Sequence, residues 1–467
     1  MGRTGEAPHP PPATINRVSG HATVHGHVFQ AQHITVTVVG TRPAPEPTAP
    51  TAPTVPPASP PHPPGADDAP RPPARKAPAR SRKEPGRKPP ARVWGPVPIG
   101  SPPGKDRSEP APVHQPLILD DALVVRTGTQ LHLLDSRDGH RRPLVTTGTG
   151  SGPLLGAGHL CFQGLNREIN TVELRTGRRH RWSPRLSLHE GRTSVSGGTV
   201  LTVGPDGLVV AMDLRRRDRL WTMTEMDCHI VSAPRTTAGH VVALGARASG
   251  TGRVPDRVAG LHEEDGSGHW LYPTDAPLSE LWSVSAGTVH VIETAPPRLR
   301  LHAIDAATGS ERWISAWFEG APADLTVAGG TVFLRTQDRH LHAVAAEDGR
   351  TRWSAPDITH PPTVAEGRVL LVENATTLAA VEPATGHDMW PRRPKKGTLL
   401  VAPFVTAGAV HTIGHTGLTT RNAATGRALG PPYPMSLSPD GDGVPALVGG
   451  VLCFTNARRE VEAVSLG

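Results

Sequence analysis

Cysteine is almost missing from this 467-residue sequence: Cys161, Cys228 and Cys453 lie far apart, with no CxxC and no adjacent pair. That excludes a disulfide framework and a thiolate zinc site, and a reducing compartment is the expectation. Long apolar runs are missing as well. Nothing approaches the roughly 18 uncharged residues of a spanning helix, and the opening MGRTGEAPHPPPATINR holds no apolar segment of the secretory kind. Neither export nor a membrane span is expected, which leaves the cytoplasm. Aromatics make up only 4% of the chain, and helix signals are few. The phosphate loop GxxxxGK[ST], the zinc helix HExxH and the nucleophile elbow GxSxG are all absent, and the glycine-rich TGTGSG at 147–152 has no helix after it to hold phosphate. No catalytic residue, cofactor ligand or metal ligand can be assigned, so the expectation is a protein without a cofactor and without enzymatic activity.

Proline and positive charge are plentiful, with 52 prolines and a formal net charge of +7. Nine Lys and Arg between Ala66 and Arg92 stand against Asp67, Asp68 and Glu84, so +6 of that charge falls in one stretch and the remainder is close to neutral. Four zones follow: a disordered start at 1–14, a β-forming island at 15–39, a disordered Pro/Ala/Arg-rich linker at 40–113, and repeats at 114–467. The linker has too little apolar surface to offset chain entropy and reads as an extended spacer. Beyond weak, salt-dependent contact by this linker, no nucleic-acid binding is expected.

From residue 117 onward the sequence repeats about every 40 residues, the period of propeller blades. LHAIDAATGSERW sets the register, with Ala303, Asp305, Thr308, Gly309 and Trp313 as A-x-D-x-x-T-G-x-x-x-W. Asp213 with Trp221, Gly349 with Trp353, and Gly386 with Trp390 follow it; Trp270 marks a fainter copy, and Trp182 one with an extra residue. Apolar β-branched runs such as GGTVLTV and GGTVFLR precede each copy, so the unit reads strand, turn, strand, turn, strand. Glycine allows the positive φ of the turn, Asp bonds nearby backbone N–H groups, and Trp is bulky enough to fill the wedge between blades. These residues are assigned to blade packing. The fold expected is all-β, a propeller of eight blades within a range of seven to nine, behind a disordered Pro-rich arm. Nine strand pairs are countable; eight follows if the two terminal pairs share a closing blade, which removes exposed sheet edges.

The register resembles the repeat of pyrroloquinoline-quinone-type (PQQ-like) propellers, the family of quinoprotein alcohol dehydrogenases and the outer-membrane assembly lipoprotein BamB. The resemblance implies fold more than function. Its dehydrogenases join quinone to calcium, an Asp base and a vicinal disulfide, and none of these has a counterpart that can be named in this sequence. A quinone-dependent oxidoreductase and a BamB-like assembly factor are therefore the weaker alternatives to a binding scaffold.

The island INRVSGHATVHGHVFQAQHITVTV is similar to bacterial amyloid signalling motifs that resemble the RHIM of animal necroptosis proteins. Asn16, Val18, Ser19, Gly20, Gly26, Val28, Phe29, Gln30, Ala31 and Ile34 stand at pattern positions, with Phe29 and Gln32 departing from the usual residues. Two β segments around Gly26 suit an arch that stacks on identical arches, with Gln30 forming an amide ladder. The resemblance implies homotypic assembly and a protein partner bearing a matching motif. His21, His25, His27 and His33 lack fixed ligand spacing and are read as solvated.

Overall fold

The computed structural model describes residues 22–24, 27–29 and 90–99. Between 117 and 466 it describes all but 120–121, 128–129, 143–144, 147–153, 164–168, 183–191, 225, 248–253, 395–396, 407, 438–444, 449 and 459. Every regular element among these residues is a β-strand. None is a helix long and apolar enough to cross a membrane.

Apart from the two-stranded pair Ala22–Val24 and His27–Phe29, the strands form antiparallel sheets of three to five members, spanning residues 117–146, 154–182, 193–222, 229–273, 278–319, 322–355, 363–394, 404–422 and 446–465, the last joined by Ala91–Pro98. They are numbered here as blades 1 to 9. Second and third strands are apolar on both faces, as in Ala122–Thr127 and Val209–Asp213, because each is covered by a neighbouring blade on either side. Buried clusters join each blade to the next around the whole series. A further cluster closes the ring, packing Trp94, Cys453, Val461 and Ala463 against Leu123, Val125 and Leu134 of blade 1.

The all-β propeller is thus as the repeats imply, and the described sheets follow the literal number of strand pairs. Blade closure does unite the two ends of the ring, by a different route from the one expected. The strand Ala91–Pro98 completes blade 9 by pairing antiparallel with Glu460–Ser465, while the pair beginning at Ala122 keeps a blade of its own. The propeller therefore begins inside the segment assigned to the linker. Its signal is Trp94, whose indole docks on blade 1 in the way the repeat tryptophans dock on their neighbours.

First strands of successive blades lie side by side and line the centre of the ring. Hydroxyls tie them together there: Ser194 donates to Pro234 O at 2.5 Å, Thr363 to Pro403 O at 2.6 Å, and Ser196 bonds Thr236.

Candidate binding surface

The turn that follows a blade's third strand, called the outer turn below, is capped by its own carboxylate or amide in blades 1, 3, 4, 5, 6 and 8. Asp305 Oδ1 accepts the N–H groups of Ala307 at 2.9 Å and Thr308 at 3.0 Å, and Asp213 Oδ1 accepts those of Arg215 and Arg216 at 2.7 and 2.6 Å. The Arg312 guanidinium on the other oxygen, with these backbone donors, outweighs desolvation and holds the Asp305 carboxyl at about 2. The tryptophans bond across blades. Trp221, Trp270, Trp313, Trp353 and Trp390 donate Nε1–H to the carbonyls of Glu263, Ala306, Ala346, Pro383 and Ala423 at 2.8 to 3.1 Å. Their rings lie flat on a turn glycine of the next blade: a Cβ at Gly309, Gly349 or Gly386 would fall 2.5, 2.5 or 2.8 Å from Trp270, Trp313 or Trp353. Trp182 ends the strand Arg179–Trp182; its side chain lies outside the described residues.

The N-terminal pattern is mostly outside the described residues, which omit Asn16, Val18, Ser19, Gly20, Gly26, Gln30, Ala31 and Ile34. Val28 and Phe29 fall in the strand His27–Phe29, whose backbone pairs antiparallel with Ala22–Val24.

Buried titratable groups concentrate in blade 5, whose second and third strands, Thr288–Ala295 and Arg298–Asp305, run eight residues each. Glu293, 1% exposed, accepts Arg300 Nε–H at 2.6 Å, bonds His302 Nε2 at 2.6 Å and accepts Ala276 N–H at 2.9 Å. Burial works to raise this carboxyl, yet the Arg300 and His302 bonds hold it below the usual range. Burial lowers His302 more than Glu293 raises it. His302 Nδ1 bonds the Tyr272 hydroxyl at 2.9 Å, and that hydroxyl also donates to Glu311. Burial and then Glu311 push the Tyr272 phenol well up, so it stays protonated and is no base. Sequence reasoning did not single out this chain of groups, because its members come from two hairpins and share no motif. Above it lies an exposed platform. Trp317 is 38% exposed, and the Arg298 and Arg300 guanidiniums stand 5.3 and 4.7 Å from its ring centre.

Elsewhere the groups suit packing more than chemistry. Burial pushes the thiols of Cys161 and Cys453 up to about 12 and that of Cys228 to about 11, far from reactive thiolates. Among the described residues no three of His, Cys, Asp and Glu are placed to hold a metal ion. The buried acids Asp324 and Glu462 are paired inside their blades, with Arg335 and with Arg92 and Asn456 respectively.

Comparison with known proteins agrees with the repeat register. Residues 254–466 match the family described as outer membrane protein assembly factor BamB. Those residues carry PQQ-like repeats. The chain is also 32% identical over 140 residues to the serine/threonine-protein kinase AfsK of Streptomyces griseus, covering 27% of this chain and spanning only 17% of the kinase. Solved structures similar to this chain include BamB from Moraxella catarrhalis, 14% identical, with 66% of this chain and 95% of that one covered at a TM-score of 0.43. Quinohemoprotein alcohol dehydrogenase from Comamonas testosteroni is likewise 14% identical, with 69% and 75% covered and a TM-score of 0.43. Both likenesses are too distant to speak to activity.

Proposed function

We propose that the PQQ-like propeller is a non-catalytic binding scaffold in the cytoplasm, recruited through residues 15–39 by a partner with a matching motif in a bacterial signalling or defence system. The observation that carries this reading is that Glu293, Asp324 and Glu462, the buried carboxylates among the described residues, are each bonded to cationic or amide partners within their own blades. A carboxylate so held spends its charge on partners inside the blade, which is the behaviour of a structural anion. The donor set also fits a quinone and calcium poorly: these acids sit in separate blades, and of the three buried cysteines Cys161 and Cys453 lie in strands of different sheets while Cys228 precedes the strand His229–Ile230 of a third. Similarity to a stretch of a protein kinase supports a signalling context, since it places this kind of sequence in a protein whose name assigns it to phosphorylation.

Two measurements on the full chain test the reading. Incubation with pyrroloquinoline quinone, calcium, primary alcohols and an electron-accepting dye is expected to give no dye reduction; turnover would establish the quinone-dependent alternative. Thioflavin-positive assembly is expected of the full chain and should vanish in Gln30→Pro with the tryptophan fluorescence of the propeller unchanged. Equal assembly by both chains would remove residues 15–39 from the recruiting role.

A further inference from the structure

The near-neutral charge of the sequence beyond the arm conceals a segregation that only the blade arrangement makes visible. The outer turns of blades 1, 2 and 3, at residues 135–142, 173–181 and 213–219, carry eleven arginines and no lysine against five carboxylates, a net +6. Since the arm at 66–92 holds another +6 of the total +7, the rest of the chain has a net charge of −5. The three turns are contiguous in space: Arg142 of blade 1 donates to Leu174 O of blade 2, and Arg217 of blade 3 bonds His180 of blade 2. Desolvation, then the guanidiniums of Arg217 and Arg178, hold the His180 imidazole below its ordinary range.

The five acids leave six of the eleven arginine charges uncompensated. Asp135 and Asp138 accept the backbone N–H groups of Arg137 and His140, Asp213 those of Arg215 and Arg216, and Glu173 the Thr176 hydroxyl. Asp135 also pairs with Arg142 and Glu173 with Arg175, Asp138 and Asp218 are exposed, and Arg178, Arg215, Arg216 and Arg219 stand exposed among them. The basic band ends abruptly. Blade 4 presents Glu263, Glu264 and Asp265 at the same turn, and Trp221 of blade 3, bonded to Glu263 O, fixes that acidic turn beside the last basic one.

We propose that the outer turns of blades 1 to 3 form a binding site for the phosphate backbone of duplex nucleic acid. A planar guanidinium offers paired N–H donors that match phosphate oxygens, and a run made wholly of arginine favours that chemistry over a diffuse cationic surface. The turns hold no Phe, Tyr or Trp to stack on unpaired bases, which favours contact with the backbone over readout of sequence. This extends the expectation of weak nucleic-acid contact by the arm to a fixed surface on the folded ring. It rests on the reading of the propeller as a binding platform.

The test is fluorescence anisotropy of a labelled DNA duplex of arbitrary sequence titrated with the full chain over a range of salt. Three proteins are compared: the natural chain, a rim variant with Arg178→Glu, Arg215→Glu, Arg216→Glu and Arg219→Glu, and an arm variant with the Lys and Arg of 71–88 changed to Gln. The rim variant should lose at least about tenfold in affinity, and its log–log salt slope should fall by about three to four, close to one per phosphate contact removed. The arm variant should keep most of that slope. An Arg→Gln set at the same four positions keeps the test valid if charge reversal unfolds the chain, and it should weaken binding in the same direction. Unchanged binding by the folded rim variants overturns the proposal, as does tighter capture of polyglutamate than of the duplex. Either failure leaves the scaffold reading standing, whereas quinone-dependent turnover would count against that reading without changing the duplex titration.

Discussion

At Gly309 the backbone turns with φ +71° while the indole of Trp270 lies where a side chain would begin. A methyl there meets both the left-handed strain of an L-residue, about 1–2 kcal/mol, and overlap with a packed ring, about 1–3 kcal/mol. Gly367 isolates the first effect, since its φ is +72° and no atom lies within 4 Å of the added carbon. Gly309→Ala should therefore cost about 2–5 kcal/mol and Gly367→Ala only the strain of about 1–2 kcal/mol, read as shifts in the urea midpoint at unchanged slope. Equal losses would mean that the turn glycine serves conformation alone and not the docking of the preceding blade. The register A-x-D-x-x-T-G-x-x-x-W was legible in the sequence because each of its residues has a local cause. That Gly and Trp of one copy meet the Trp and Gly of neighbouring copies was not, since the contact spans about one blade of chain.

Between elements, the contact of blades 5 and 6 buries an imidazole without partners. His290, in the strand Thr288–Ala295, is 1% exposed, neither ring nitrogen has a hydrogen-bond partner, and its ring centre lies 5.9 Å from that of Trp313. Burial, then the nearby Arg312, lowers its pKa from 6.5 to about 4. An unfolded chain takes up this proton below pH 6.5 whereas the folded chain resists until about 4, so the group removes stability as pH falls through that window. The urea midpoint should drop between pH 6.5 and pH 4, and His290→Leu should flatten part of that drop while raising stability at pH 7. Superimposable pH curves for the two chains would contradict this. Alternating apolar runs made the strand at 288–295 legible, but a histidine within such a run gives no sign of which neighbour it faces. The Tyr272, His302 and Glu293 chain escaped notice for the same reason, as did Trp94, which lies in a proline-rich context that reads as linker.

At the scale of the whole molecule, a propeller gains stability from closure, because a ring leaves no blade with an uncovered face. Here closure depends on a strand 348 residues away in sequence from the nearest member of its sheet, Ala91–Pro98 beside Ala446–Ser465. Trp94 carries the closure to blade 1 by donating to Ser136 O at 2.8 Å and lying over Gly139. The periodic signal located the blades but not this strand, which stands ahead of the first repeat. The arginine band belongs to this scale too, since three unremarkable turns become one charged surface only when the ring sets them side by side.

The most direct measurement compares amide hydrogen exchange in a chain lacking residues 1–88 with one lacking residues 1–98. In a ring closed by the strand Ala91–Pro98, the shorter deletion should leave the amides of Glu460–Ser465 as protected as in the full chain, and the longer one should expose them together with those of Ala122–Thr127. Equal protection of both strands in the two truncated chains would show that the ring holds without that strand and would contradict the closure described here.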